Sequence, residues 1–281
     1  MDIALQAQKA ELLRKLHHGP QILILPNAWD AISALIIEEA GFPAVATTSA
    51  GVAAALGYPD GQRVQRDEML QAVARIARVV QVPVTADLEA GYANTPSEIA
   101  DFARATIASG AVGLNFEDIT GDDEASFVEL NLQVEKIAAL RQAANLAGVP
   151  LVINARTDIY LMPIGPAETR FERTVERLRA YRKAGADCVF APGIRDAETI
   201  GRMVKAVGAP LNILVQPGGA TLRELEKLGV ARASAGSGPH RAALTRLREV
   251  AVALREYGDH TPLFEKNISW SETNRLLGRA D

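Results

Sequence analysis

The feature that most constrains the fold is a repeated unit in which a helix ends at a glycine and a short apolar strand follows closely. The unit recurs at Gly41, Gly110, Gly185 and Gly229. Glycine suits the left-handed position at the end of a helix, where the chain turns back toward a sheet. Strand and helix alternate along most of the chain, and this order predicts a parallel sheet covered by helices.

Eight short apolar runs are predicted to be the strands of this sheet. They are residues 22–25, 44–48, 82–86, 113–117, 151–156, 188–191, 211–215 and 231–235. Eight strand–helix units close most simply as a (β/α)8 TIM-type barrel, an α/β fold. An open doubly wound sheet is the alternative, but it typically carries a glycine-rich turn after its first strand. Here that turn is Pro26-Asn-Ala-Trp-Asp30, which contains no glycine.

We expect one barrel domain over residues 1–281. Its parts are an N-terminal helix within 1–20, a barrel core over 21–238 and a C-terminal helical segment over 239–281. Segments 49–65 and 118–129, after the second and fourth strands, are predicted to be long loops. Long loops within a compact domain often cover a binding site.

Composition excludes several classes of function. The net charge of −4 leaves no basic surplus for nucleic acid. The single cysteine, Cys188, excludes an internal disulfide and a multi-cysteine metal cluster, and its place within a predicted strand favours a buried thiol. The apolar runs are too short to span a membrane, and residues 1–20 lack a secretory pattern. A cytoplasmic protein without membrane or nucleic-acid partners is therefore expected.

Acidic side chains gather where neighbouring predicted strands end. Asp87 and Glu89 follow the third strand, and Glu117 ends the fourth. Carboxylates packed together repel one another unless a cation joins them, and hard oxygen ligands suit Mg²⁺ or Mn²⁺. The alternative is that Asp87 caps a helix and that Glu89 is a solvated loop residue.

An arginine ends the next strand. Arg156 offers a planar cation suited to a carboxylate or an enolate oxygen. The alternative is a salt bridge to Glu117 or Asp158 that only balances charge. Together with a metal ion, this arginine would suit an anionic, oxygen-rich small molecule.

Backbone N–H groups after the second strand are a further candidate for binding a carboxylate. They belong to Thr48, Ser49 and Ala50, although an ordinary polar turn is an equal alternative. None of the four histidines follows a predicted strand, so neither a Ser-His-Asp triad nor a histidine zinc site is supported.

Six motifs, in order over residues 20–240, resemble the isocitrate lyase / phosphoenolpyruvate mutase superfamily. They are Asn27-Ala-Trp-Asp30, Thr47-Thr-Ser-Ala-Gly51, Leu56-Gly-Tyr-Pro-Asp60, Ala86-Asp-Leu-Glu-Ala-Gly-Tyr92, Asn115-Phe-Glu-Asp118 and Asn154-Ala-Arg-Thr-Asp158. The resemblance implies a barrel in which Mg²⁺ holds a 2-oxo acid or its enolate. Members make or break a C–C or P–C bond next to that enolate.

The resemblance also implies roles for individual residues. Asp87 matches the acid nearest the metal, Glu117 matches an acid that reaches it through water, and Glu89 stands where many members have Asp. Arg156 matches the arginine that stabilises the enolate, and Asp60 matches an acid that supports the site.

Further roles follow from the same resemblance. Thr48, Ser49 and Ala50 match the segment that binds the substrate carboxylate. Trp29, which follows the first predicted strand, is assigned to the same pocket. Members are commonly tetramers that exchange a C-terminal helix. A homotetramer, or a dimer, is therefore expected. The helix predicted over 239–257 and the tail beyond it are the candidates for the exchanged element.

Two departures from the superfamily narrow the reaction. Segment 118–129 contains neither the cysteine of the isocitrate and methylisocitrate lyases nor the lysine of the mutases. Pro192 stands where the mutase has a histidine. We therefore expect a Mg²⁺-dependent lyase that cleaves a C–C bond of a small 2-oxo or 2-hydroxy acid, like isocitrate lyase or oxaloacetate decarboxylase. The alternatives are a P–C bond enzyme (phosphonopyruvate mutase or hydrolase) and a non-catalytic barrel that binds a dicarboxylate.

Overall fold

The structure is a computed structural model that describes residues 2–119, 126–162 and 164–278. Within these residues, parallel strands pair side by side in the order β1-β9-β8-β7-β6-β5-β4-β3-β2. The strands are β1 Leu23–Leu25, β2 Asn27–Ala28, β3 Val45–Thr47, β4 Val84–Asp87, β5 Gly113–Glu117, β6 Val152–Arg156, β7 Cys188–Phe190, β8 Leu211–Leu214 and β9 Arg232–Ser234.

The first predicted strand is divided at Pro26. Its first part, β1, pairs with β9, and its second part, β2, pairs with β3. Proline lacks the N–H that a continuous ladder would use, but its carbonyl oxygen accepts from Ala46 N at 3.2 Å. The bend at Pro26 thus closes the sheet on itself. The predicted barrel is confirmed, with its first strand in two pieces.

Helices alternate with the strands and pack around them. They are α1 Ile3–Leu16, α2 Ala31–Glu39, α3 Ser49–Leu56, α4 Arg66–Val79, α5 Pro96–Ala108, α6 Leu130–Leu146, α7 Arg170–Ala184, α8 Ala197–Val207, α9 Leu222–Lys227, α10 Gly238–Val252 and α11 Trp270–Leu277. A π-helical turn, Ala253–Tyr257, continues α10. All four glycines of the repeat have positive φ, as predicted. Among the described helices, none is both long and apolar enough to cross a membrane.

Segment 49–65 differs from the prediction of a continuous loop, because α3 occupies its first half. The Thr48 side chain accepts from Gly51 N and caps the helix, half of whose residues are alanine. The helix ends at Gly57, which has a φ of 87°. The glycines and the proline that favoured a loop lie mainly after this helix. Of segment 118–129, residues 120–125 lie outside the described part, and Ile119 and Phe127 form an antiparallel bridge beside them.

The lower end of the barrel, where the strands begin, is closed by α1. The Gln6 side chain donates to the carbonyl oxygens of Ile107 and Ala111 at 2.7 and 3.0 Å. Leu13 packs so closely on Gly113 that an added Cβ would lie 2.9 Å from it. A large apolar core between sheet and helices therefore continues beneath the barrel, and the lower end is sealed.

Asp187 forms the main ion cluster of the lower end. Its carboxylate accepts from Arg14 Nε at 2.9 Å and from Ile153 N at 2.8 Å, and it also pairs with Arg141. Arg141 donates in addition to the carbonyl oxygens of Gly185 and Leu151. This cluster joins α1, α6 and the segment that leads into β7.

Candidate active site

A cavity of about 240 Å³ opens at the upper end of the barrel, where the strands end. Its lining residues come from nearly every strand end: Asn27, Thr48, Ser49, Ala50, Asp60, Asp87, Asn115, Arg156, Leu161, Phe190, Pro192, Leu214, Ser234, Gly236 and Ser237. Ligand sites of TIM barrels lie at this end. The cavity is large enough for a small organic acid.

Asp87, the last residue of β4, is held on one side of the cavity. Its Oδ2 atom accepts from Ser49 N at 3.0 Å and from Ser49 Oγ at 2.8 Å. Its Oδ1 atom accepts from Asn115 Nδ2 at 3.1 Å. Asp87 does not cap the following helix, since Thr95 does so for α5. The carboxylate is instead fixed between the first turn of α3 and the neighbouring strand β5.

Glu89 lies in a tight turn directly after β4. Its φ of 52° is unusual for a residue with a side chain and costs conformational energy. Its carboxylate accepts from Tyr92 OH at 2.6 Å and from the backbone N–H of Gln62. Burial raises the pKa of Glu89, although both of these hydrogen bonds oppose the rise. Glu89 is therefore a buried acid and not a solvated one.

Arg156, the last residue of β6, makes both of the ion pairs considered above. It forms a bidentate pair with Asp158, with Nη2 2.7 Å from Oδ2. Its Nη1 atom lies 2.9 Å from Glu117 Oε2. The centroid of the Phe190 ring lies 5.7 Å from its guanidinium carbon. Arg156 also lines the cavity. The same cation therefore pairs with Glu117 and Asp158 and borders the cavity.

The acids around Arg156 are incompletely neutralised. Burial raises the pKa of Glu117 well above its ordinary value, and the charge of Arg156 only partly opposes this rise. Although burial disfavours the charged form of Arg156, Asp158 and Glu117 together keep its pKa well above the usual range. The pKa values of Glu117 and Arg156 can both be raised, because Arg156 gives two of its hydrogen bonds to Asp158. Glu117 therefore receives less stabilisation of its charged form from this arginine.

Asp118 supports the site from outside the cavity. It is fully buried, and its Oδ2 atom accepts from Tyr181 OH at 2.6 Å and from Arg177 at 3.1 Å. Its Oδ1 atom accepts from Asp158 N at 3.2 Å. Burial raises the pKa of Asp118 despite these partners. Asp118 therefore helps to fix Asp158, which in turn orients Arg156.

The predicted site residues fall into two groups. Thr48, Ser49, Ala50, Asp60, Asp87 and Arg156 line the cavity together. Asp60 is the exposed member of this group and lies at its rim. Glu89, Glu117 and Trp29 do not line the cavity. The two acids lie behind Asp87 and Arg156, and the Trp29 ring packs edge-on against His240 at 5.1 Å between centroids.

The predicted metal ligands provide carboxylate oxygens, but these are not arranged as a complete coordination shell. Among the residues that the structure describes, no group of three or more His, Cys, Asp or Glu side chains is placed to hold a metal ion. The charges of Asp87 and Asp60 nevertheless raise the pKa of Glu89, and those of Asp87 and Glu89 raise the pKa of Glu117. This excess of hard oxygen donors fits a divalent ion that keeps most of its waters, as Mg²⁺ does.

The floor of the cavity contains residues whose role was not predicted. Asn115 Oδ1 accepts from Asn154 Nδ2 at 2.7 Å, and Asn115 in turn donates to Asp87. Beneath them lies Arg232, a fully buried arginine on β9. Its position in the sequence Ala-Arg-Ala-Ser-Ala, two residues before Ser234, places both side chains on one face of the strand. That alternation was the available signal.

The wall opposite Asp87 is apolar. It consists of Leu161, Phe190, Pro192 and Leu214. The thiol of Cys188 lies nearby in β7 but is buried, and burial raises its pKa to about 12. The cavity therefore has one ionic side and one apolar side, and Cys188 remains a neutral thiol.

Residues 13–255 match the family model of phosphoenolpyruvate phosphomutase. An uncharacterized protein of Mycobacterium tuberculosis H37Rv is 35% identical over 262 residues, which cover 93% of this chain and 94% of that protein. Oxaloacetate decarboxylase of Bradyrhizobium diazoefficiens is 29% identical over 289 residues, 97% of this chain and 94% of the enzyme. The 2-methylisocitrate lyase of Bacillus subtilis 168 is 26% identical over 212 residues, 73% of this chain and 67% of the enzyme.

Solved structures agree in fold over nearly the whole chain. A lyase/mutase candidate from Burkholderia cenocepacia J2315 superposes with a TM-score of 0.90 and 40% identity, covering 97% of this chain and 96% of the other. Oxaloacetate acetylhydrolase in complex with the inhibitor 3,3-difluorooxalacetate has a TM-score of 0.85 and 27% identity, covering 96% and 93% of the two chains.

Proposed function

Because the chain belongs to the phosphoenolpyruvate mutase family of lyases and mutases, we propose that it is a Mg²⁺-dependent carbon–carbon lyase. Its substrate is a small 2-oxo or 2-hydroxy carboxylic acid, and cleavage passes through an enolate. The observation that carries the proposal is the juxtaposition of Arg156 and Asp87 in one cavity whose opposite wall is apolar. Two of the relatives named above, the 2-methylisocitrate lyase and the oxaloacetate decarboxylase, are named for reactions of this class.

Binding of the substrate carboxylate is assigned to the first turn of α3. A helix N-terminus favours an anion because its first N–H groups lack partners within the helix and the dipole is positive there. Ser49 already donates its N–H and its hydroxyl to Asp87. Ala50 follows it and lines the cavity, so its N–H is the proposed contact for the substrate.

Stabilisation of the enolate is assigned to Arg156. When the C–C bond breaks, its electron pair enters the substrate carbonyl and negative charge grows on that oxygen. The guanidinium is held by Asp158 and Glu117 before the substrate arrives, so little reorientation is needed as charge develops. A hydrated Mg²⁺ near Asp87, with Glu89 and Glu117 behind it, would supply further positive charge at this oxygen.

The proton requirements favour decarboxylation within this class. Cleavage of a 2-hydroxy acid needs a base that removes the hydroxyl proton, whereas loss of CO₂ from a 3-carboxylated 2-oxo acid needs none. The described lining of the cavity contains no imidazole or thiol, and of its two carboxylates Asp87 is assigned to the metal and Asp60 lies at the exposed rim. Oxaloacetate is therefore the first substrate to test, and malate-type acids follow.

The test measures turnover of oxaloacetate, malate, isocitrate and 2-methylisocitrate by the purified protein, with Mg²⁺ or with EDTA. Phosphonopyruvate followed by phosphorus NMR tests the P–C alternative. We expect Arg156→Met to lower kcat on the accepted substrate on the order of 10²–10³-fold. Arg156→Lys should recover only part of this loss, because lysine keeps the charge but not the planar fork.

Arg104→Met provides the matched control for Arg156. Arg104 lies on the exposed face of α5, where it pairs with Asp101, and its replacement should leave kcat unchanged. Full activity of Arg156→Met would contradict the role in the enolate. Binding of oxaloacetate by calorimetry without any turnover would favour the dicarboxylate-binding alternative.

We further propose that the C-terminal helices contact another subunit in a homo-oligomer. The support is a set of large apolar side chains that remain exposed in this region: Leu247, Tyr257, Phe264 and Trp270. Trp270 is 84% exposed. Multi-angle light scattering of the whole chain should give a mass several times 30.0 kDa, and a monomer at micromolar concentration would contradict it.

A further inference from the structure

Arg232 is a buried cation without a carboxylate. It is 1% exposed and has the largest side chain among the fully buried residues. No described acidic side chain pairs with it, and its Nη1 atom has no partner in the described part of the chain. Buried arginines are normally paired, because an isolated charge is costly to remove from water. Such a residue calls for an explanation other than stability.

The contacts of Arg232 connect opposite sides of the barrel. Its Nε atom donates to Ser234 Oγ at 3.1 Å on its own strand, β9. Its Nη2 atom lies 3.5 Å from Asn115 Oδ1 on β5, which is the opposite strand of the closed sheet. Both Ser234 and Asn115 line the cavity. The guanidinium therefore lies directly under the cavity floor and spans it.

Neither partner of Arg232 depends on it for a hydrogen bond. Ser234 Oγ also exchanges hydrogen bonds with the Asn212 amide at 3.0 and 3.2 Å. Asn115 Oδ1 also accepts from Asn154 Nδ2 at 2.7 Å. Removal of the guanidinium would leave both groups satisfied. Its contribution is therefore to link the Ser234–Asn212 pair to the Asn115–Asn154 pair, which would otherwise move independently.

We infer that Arg232 is a positioning residue that holds Asn115, and through Asn115 the Asp87 carboxylate, in the geometry required by the ligand. Asn115 has one donor group and one acceptor group, and they face different sides. With Oδ1 turned toward Arg232 and Asn154, its Nδ2 must point at Asp87 Oδ1. Amide rotation would place the acceptor against the carboxylate, and two donors below the floor oppose that rotation.

The charge of Arg232 acts in the same direction. The guanidinium remains charged, since burial lowers its pKa only to about 10 and the charge of Asp87 partly opposes the shift. A fixed cation under the floor favours an anionic Asp87 and an anionic ligand above it. Arg232 is not among the residues that line the cavity, and its Nη1 atom is buried, so Arg232 acts through Asn115 and not by direct contact with the ligand.

The test compares Arg232→Met, Arg232→Lys and the control Arg141→Met in kcat and KM for oxaloacetate, in affinity for oxalate with Mg²⁺ present, and in Tm. This inference rests on the proposed function, and oxalate serves as a planar analogue of the enolate. We expect Arg232→Met to lower kcat about 10- to 100-fold, as loss of a supporting contact does elsewhere, and to weaken oxalate binding about 10-fold. Its Tm should stay equal or rise, because an apolar side chain replaces an incompletely paired buried charge.

Arg141→Met should give the opposite result, with a lower Tm and unchanged kcat, since Arg141 pairs with Asp187 at the lower end. Arg232→Lys keeps the charge and provides the folded variant if Arg232→Met aggregates; it should lose less kcat than a variant without charge. Asn115→Ala supplies a thermodynamic cycle. If Arg232 acts through Asn115, the double variant loses no more kcat than Asn115→Ala alone.

The two proposals fail in different ways. Absence of turnover by the wild-type protein on every acid tested would overturn the lyase function, and the oxalate affinities would still test Arg232. Wild-type turnover and oxalate binding that are both retained in Arg232→Met would overturn the positioning role. Additive losses in the double variant would also overturn it, because they would mean that Arg232 acts independently of Asn115.

Discussion

The ion clusters at the two ends of the barrel have opposite ratios of cations to anions. At the lower end, one carboxylate, that of Asp187, is shared by Arg14 and Arg141. At the upper end, one guanidinium, that of Arg156, is shared by Glu117 and Asp158. Asp87 accepts only from neutral donors among the described residues. The lower end thus has an excess of cation and the upper end an excess of anion.

This difference separates stability from function. The lower cluster is satisfied within the protein, because Arg141 uses its remaining donors on backbone carbonyl oxygens. The upper cluster is not, since burial raises the pKa of both Glu89 and Glu117. Buried acids with raised pKa values are typical of functional sites. Under the proposed function, the lower end stabilises the barrel and the upper end is completed by what it binds.

The largest expected effects come from making the same substitution at both ends. Asp187→Asn should lower the free energy of unfolding by about 3 kcal/mol, because two partly buried guanidinium groups lose their shared anion. Asp87→Asn should leave that free energy unchanged or raised, because it relieves repulsion among the upper acids. It should instead lower kcat by about 100-fold or more. Urea unfolding measures the free energy of unfolding of both variants, and steady-state kinetics measure their kcat.

The comparison would break if the two variants behaved alike. A loss of several kcal/mol in Asp87→Asn would mean that the upper acids contribute to folding. A loss of kcat in Asp187→Asn at unchanged stability would mean that the lower cluster influences the reaction. Either result would remove the division between the two ends of the barrel.

Much of the upper end could be predicted, because parallel strands end at one edge and place successive strand-end residues together. Asp87, Glu117 and Arg156 were found in this way. The turn after β4 was not, since Glu89 adopts a positive φ and turns its carboxylate toward Tyr92 and away from the cavity. Pattern reading assumes ordinary backbone conformations, and a single unusual φ redirects the side chain.

The failures in the rest of the molecule have similarly local causes. Helix α3 was missed because its alanines were grouped with the glycines and proline that follow Gly57, although Thr48 is a suitable helix cap. Trp29 was assigned to the pocket because it follows β2, but it packs on His240. Arg232 was missed because alternation in the predicted strand 231–235 places Arg232 and Ser234 on one face but does not tell whether that face lies inside the barrel.

The smallest expected effect concerns His17, at the lower end. The ring is 4% exposed, its Nδ1 atom hydrogen-bonds to the Leu13 carbonyl oxygen at 2.8 Å, and its Nε2 atom has no partner in the described residues. Burial, followed by the charge of Arg232, lowers the pKa of His17 from 6.5 to about 4. The folded protein therefore holds the ring neutral where the unfolded chain would protonate it.

The sign of the pH dependence follows from this lowered pKa. Stability from the neutral ring is fully present above the unfolded pKa of 6.5 and is lost as the pH falls toward the folded pKa of about 4. Between pH 7 and pH 4.5, the His17 contribution should fall by about 2 kcal/mol. Urea unfolding of wild type and His17→Gln over this range isolates it, because the acids of the upper end contribute equally to both curves.

His260→Gln, at an exposed position in the C-terminal segment, controls for the substitution itself. His18 would not serve, because its charge also lowers the pKa of His17. Parallel curves for wild type and His17→Gln would show that the ring accepts a proton in the fold, which requires water to reach Nε2 from below. A third curve, for Arg232→Met, connects the two ends of the barrel. If the Arg232 cation also keeps His17 neutral, its removal should raise the pKa of His17. The free energy of unfolding should then fall less steeply as the pH is lowered. An unchanged pH dependence would leave burial, with the smaller effect of the His18 charge, as the cause of the lowered pKa. It would also confine the influence of Arg232 to the upper end.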